Sequence, residues 1–84
     1  MKSRLNPLQK RMAEDMILYY HNAKRFRDMD EPEHEALFLE KYETERARLS
    51  QSLKYPVSVR GDNSPCYFVI SDITRRAVYI EGDK

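Results

Sequence analysis

The chain has 84 residues, with 15 Lys and Arg against 14 Asp and Glu, two His and a single Cys. That is the length of one domain, and a chain this short buries only about 60% of the surface its unfolded form exposes, which leaves no room for a deep catalytic cavity beside a full core. The near-neutral balance removes the basic surplus that marks a nucleic-acid-binding chain, and one cysteine forms no internal disulfide.

The longest apolar runs, residues 16–20 and 66–70, are five residues each. A bilayer takes roughly 20. The start, Met1-Lys-Ser-Arg-Leu-Asn-Pro, is basic but has no apolar run behind it, unlike a secretory signal. The expectation is a cytoplasmic protein with no membrane segment and one domain over 1–84.

A first helix is predicted from Asn6-Pro7, where Asn caps and Pro occupies the first helical position, whose N–H has no partner in any case. Leu5, Leu8, Met12, Met16, Tyr19, Ala23 and Phe26 follow in steps of three and four, which makes one helical face, and Ala13 and Tyr20 widen it. The pattern breaks at Asp28-Met29-Asp30. A second helix is predicted with Asp30 as cap, Pro32 in the first turn and Glu33 closing a capping box. Its stripe is Phe38, Leu39, Tyr42, Leu49 and Leu53. It ends before Tyr55-Pro56, because the residue before Pro is pushed out of the α region. A short connection makes the two helices an antiparallel hairpin over about 6–54.

After Pro56 the period falls to two. Val57 and Val59 alternate with Ser58 and Arg60, residues 61–65 form a turn, and residues 66–70 and 77–81 form two more strands joined by a hairpin loop over 72–76. The expected fold is α+β: a helical hairpin followed by a three-stranded antiparallel meander over about 56–82, in the order ααβββ. Pairing Phe68 and Ile70 inward with Val57, Val59, Val78 and Ile80 leaves Tyr67, Val69, Ala77 and Tyr79 outward.

Residues 1–27 carry seven basic and two acidic side chains, and residues 28–45 carry one basic and eight acidic. The favoured account is structural: cations at the end of one helix and anions at the start of the next both complement the helix dipole. Leu18 stands opposite the first core stripe, among Arg11, Glu14, His21 and Arg25, with Ile17 on the rim. Leu37 stands behind the second stripe, near Lys41 and Arg48. These leucines suggest a docking surface. Tyr67 and Tyr79 with Arg60, Arg75 and Arg76 suggest another, since Tyr and Arg are enriched at interfaces and also stack on unpaired bases.

Enzymatic patterns are absent. His21 and His34 have no ligand-spaced partners, and Cys66 at the start of a strand is a packing residue. A metal-nuclease reading of Asp72 with residues 81–84 fails because Gly82 stands where the second carboxylate belongs, and Arg60-Gly61-Asp62 reads as a turn. No catalytic residue, metal or cofactor is expected. The expected function is a non-enzymatic interaction module: a small regulator, adaptor or inhibitor that docks on a larger protein through Leu18, Ile17, Leu37, Tyr67 and Tyr79, with self-association as a component. The alternative is a nucleic-acid-binding regulator that uses helix 1 or the surface of Arg60, Arg75, Arg76 and Tyr67.

Overall fold

The computed structural model describes residues 5–61 and 67–81. The chain runs α1 (Pro7–Asp28), α2 (Pro32–Leu53), β1 (Val57–Arg60), β2 (Tyr67–Ser71) and β3 (Ala77–Glu81), and the sheet order is β1-β2-β3 with both pairs antiparallel. The expected ααβββ arrangement is the observed one. The readings placed on Cys66, on turn residues 62–65 and on residues 82–84 lie outside the described residues.

Asn6 caps α1 as its sequence implies. Its side chain accepts from the Gln9 N–H at 2.8 Å, and the Gln9 side chain accepts from the Asn6 N–H at 3.2 Å, so two otherwise orphaned donors are satisfied reciprocally. Arg25 and Arg27 lie in the last turn of α1, and Glu33 and Glu35 in the first turn of α2, where each sign complements the dipole.

The junction between the helices corrects the expected cap. Asp30 does not cap α2; the N-cap is Glu31, which makes no side-chain capping bond. Asp30 instead closes α1. It adopts φ 59°, its N–H reaches the Arg27 carbonyl, and the next N–H, of Glu31, reaches back to the Phe26 carbonyl at 2.8 Å. This is the bond pattern of a Schellman stop, and a short polar side chain tolerates the left-handed backbone it requires.

The core holds Ala13, Met16 and Ile17 of α1, Tyr42 and Leu49 of α2, Val57 and Val59 of β1, Val69 of β2 and Tyr79 of β3. Helix α1 meets both α2 and the sheet, so its buried arc is rotated from the expected stripe. Leu8 is 67% exposed, whereas Ile17, expected on the rim as a docking residue, is 5% exposed.

The sheet faces are also reversed for β2 and β3. Cross-strand partners share a face, and the register sets Val59 beside Val69 and Val69 beside Tyr79. Val69 and Tyr79 therefore point at the helices with Val57 and Val59, and Tyr67 follows them, while Phe68 and Ile80 point away. A shift of one residue exchanges the two faces, which explains the error. Val78 still packs on the core as expected. The ladder shifts register between Val69 and Ile70, leaving Val78 as an extra residue beside Tyr79, and a bulge of this kind turns two successive side chains toward one face.

Gly61 lies against the Tyr67 ring. A Cβ there would overlap Cδ1 and stand 2.6 Å from Cε1 and 2.9 Å from Cγ. The ring is held edge-on by His21 (centroids 5.4 Å apart) and Tyr20 (6.3 Å), so it has no free swing. Gly61→Ala is expected to cost about 1–3 kcal/mol, as other overpacked sites do, seen as a lower urea midpoint. An unchanged midpoint would show that the ring yields.

Candidate functional site

One edge of the sheet is closed by side chains of α2. Tyr42, Arg46 and Ser50 recur every four residues and so form one line along α2. That line lies on the outer edge of β1. The Val59 N–H donates to the Tyr42 hydroxyl at 3.2 Å, the Val57 N–H donates to the Ser50 hydroxyl at 3.2 Å, and Arg46 Nε donates to the Val57 carbonyl at 2.8 Å. The Arg46 guanidinium also pairs with Asp72 at 3.4 Å. These are the backbone groups that alternation in an antiparallel ladder turns away from β2. Their satisfaction closes this edge to another strand. Burial pushes the Tyr42 phenol above its ordinary pKa, and the Val59 N–H and the Arg46 charge offset only part of that rise.

The other edge is β3, and no described strand lies beyond it. Since Val57 and Val59 face away from β2, Val69 turns its backbone groups to Tyr79, and Ile80, the next residue along, turns its own outward. Helix α1 is tied to the sheet at two points. The Tyr79 hydroxyl donates to Glu14 Oε2 at 2.7 Å, and the Tyr67 hydroxyl lies 2.9 Å from His21 Nδ1. Leu18 stands between Glu14 and His21 on the same line of α1 and is 52% exposed. Arg11 and Arg25, two turns away on either side, are exposed, as are Arg75 and Arg76 just before β3.

The chain matches no family model, no curated protein and no solved structure.

The residues singled out from sequence divide into three groups. Leu18 lies on the α1 flank as expected. Ile17, Tyr67 and Tyr79 belong to the core or its margin; Tyr79 is only 6% exposed, and the hydroxyls of both tyrosines are engaged by α1. Leu37 is 45% exposed on α2 but lies on a separate, polar line with Lys41, Thr44 and Arg48. The arginines do not gather either. Arg75 and Arg76 sit in the turn after Ser71, whereas Arg60 pairs with Phe68 at the far end of β1, three residues or about 10 Å along the strand.

Two features went unread in the sequence: the sealing line on α2 and the His21–Tyr67 contact. The first left a signal, polar residues at spacing four just ahead of a strand. The second left only Gly61. Among the described residues, no group of three or more His, Cys, Asp or Glu is placed to hold a metal ion, and no helix is long and apolar enough to cross a membrane.

Proposed function

We propose that the chain is a protein-interaction module, a small regulator, adaptor or inhibitor of the cytoplasm, that docks on a larger protein through the α1 flank beside β3. The observation that carries this reading is the position of Leu18: half-exposed, on a line whose neighbours on both sides are bonded to the sheet. An apolar side chain on a pinned backbone loses little freedom on binding, which favours it as an anchor. Leu18→Glu is expected to keep the far-UV spectrum and Tm of the parent and to lower retention of a partner from cell extract at least about tenfold, the loss typical of a central anchor. Leu37→Glu is expected to retain that partner. A folded Leu18→Glu variant that binds as the parent does would remove this surface.

Nucleic-acid binding has one specific observation in its favour. Phe68, on the outer face, lies between exposed Arg60 and Ile80 in register, and an aromatic beside arginine is a stacking surface for an unpaired base. On this reading affinity for a single-stranded oligonucleotide falls steeply with salt. Unchanged affinity after Arg60→Glu, and again after Arg75 and Arg76 are both made Glu, would end it.

A further inference from the structure

We infer that one end of the molecule binds an anionic lipid surface, with Leu8 and Ile73 entering the interface and cations around them. Contacts bring four segments to this end. The Gln9 side chain donates to the Ser52 hydroxyl at 2.8 Å, so α1 starts where α2 finishes. The Asp72 N–H donates to the Pro56 carbonyl at 2.9 Å, so the turn between β2 and β3 lies beside the start of β1. Leu8 and Ile73 are both 67% exposed, more than any other large apolar side chain among the described residues. The turn that carries Ile73 is firmly built. The Ser71 hydroxyl accepts the N–H groups of Ile73 and Thr74, each at 3.2 Å, and the Ser71 carbonyl accepts that of Arg75 at 2.8 Å. Ile73 is thus held outward on a backbone that loses little freedom on binding.

The charge at this end selects the surface. Lys10, Arg11, Lys54, Arg75 and Arg76 are all exposed. Among the described residues the nearest acids are Asp72, whose carboxylate pairs with Arg46 at 3.4 Å, and Glu14 and Asp15, one turn further along α1 than Arg11. Glu14 also accepts the Tyr79 hydroxyl. The far end, at the junction of the helices, carries Asp28, Asp30, Glu31, Glu33 and Glu35 against Lys24, Arg25 and Arg27. A net charge near zero therefore hides a lopsided distribution that turns the cationic end toward an anionic surface. Two aliphatic side chains on separate elements, a helix start and a turn, suit a fluid interface, which needs no matching pocket. The cations supply the second signal that stable attachment to a bilayer surface takes. This end is separate from the Leu18 flank.

The test is co-sedimentation of the full chain with vesicles of phosphatidylcholine alone and of phosphatidylcholine mixed with phosphatidylserine. Binding is expected to the mixed vesicles only and to fall as salt rises. Arg75→Glu with Arg76→Glu is expected to weaken it at least about tenfold, since each cation near the surface counts for about fivefold. Leu8→Gln with Ile73→Gln is expected to weaken it at least about tenfold at a nearly unchanged urea midpoint. Arg25→Glu with Arg27→Glu makes the same charge change at the far end, about 25 Å along α1 from Leu8. It is expected to lose less than about threefold, because screening at physiological salt acts over about 8 Å. The chain has no tryptophan, so Ile73→Trp gives a single indole whose emission is expected to shift to shorter wavelength on mixed vesicles, and Leu37→Trp gives one that does not. Failure to bind mixed vesicles, equal losses in the two charge-reversed variants, or an Ile73→Trp emission that stays in place would overturn the inference. An oligonucleotide or polyglutamate bound instead of vesicles, and lost on Arg75→Glu with Arg76→Glu, would overturn it too and give this end to nucleic acid or to an acidic protein. Leu18→Glu is expected to keep vesicle binding, so the docking reading and this one fail separately.

Discussion

Leu49→Ala is expected to cost about 2–5 kcal/mol, the range for truncating a buried leucine. Leu49 is fully buried in the one cluster that joins α1, α2 and all three strands. Its neighbours there include Val57 and Val59, whose β-branched side chains have one preferred rotamer and collapse poorly into a void. A domain of this size has a total stability of roughly 4–13 kcal/mol, so the loss is a large share of the whole. Urea unfolding followed by circular dichroism is expected to show a much lower midpoint with little change in slope. Leu37→Ala, at an exposed position, is expected to stay within about 0.5 kcal/mol of the parent. Equal shifts in the two variants would mean that the core does not pass through Leu49.

The same cluster explains which parts of the fold were legible in the sequence. The change of period at Pro56 and the Asn6-Pro7 start are local signals, and local physics fixed both outcomes. The faces of β2 were not local. Tyr67, Phe68, Val69 and Ile70 form an apolar run without alternation, so the sequence contains no parity to read, and only the pairing of Val69 with Val59 and Tyr79 decides it. Tyr67 and Tyr79 fall on the outward face once Phe68 and Ile70 are paired inward, and a phenol turned to the core needs a polar partner. That partner is His21 in one case and Glu14 in the other, 46 and 65 residues away in the chain. Ile17 was misplaced because a helix packed against two surfaces buries a wider arc than one stripe. Asp30 illustrates a real ambiguity: the side chain that suits an N-cap also suits the left-handed residue that ends the preceding helix. Leu18 was legible as a departure from the stripe. The closed β1 edge was not, since side chains of α2 seal it from a distance in the chain.

That closure yields the second large effect. Tyr42→Phe removes one oxygen, leaves the Val59 N–H of a buried strand without its acceptor, and is expected to cost about 1–3 kcal/mol. The cost depends on pH. Burial raises the phenol above its ordinary pKa of about 10, so the folded state holds this proton more tightly than the unfolded chain does. The contribution is complete below pH 10 and is lost as pH rises through the folded value. The urea midpoints of parent and variant are thus expected to lie furthest apart near pH 8 and to converge above pH 10. Adding Arg46→Met frees the Val57 carbonyl as well, so β1 then offers a donor and an acceptor to any passing strand, and association that grows with protein concentration is expected by light scattering. A gap between parent and Tyr42→Phe that is the same at both pH values, together with a double variant that stays monomeric, would show that α2 merely lies along β1 and does not seal it.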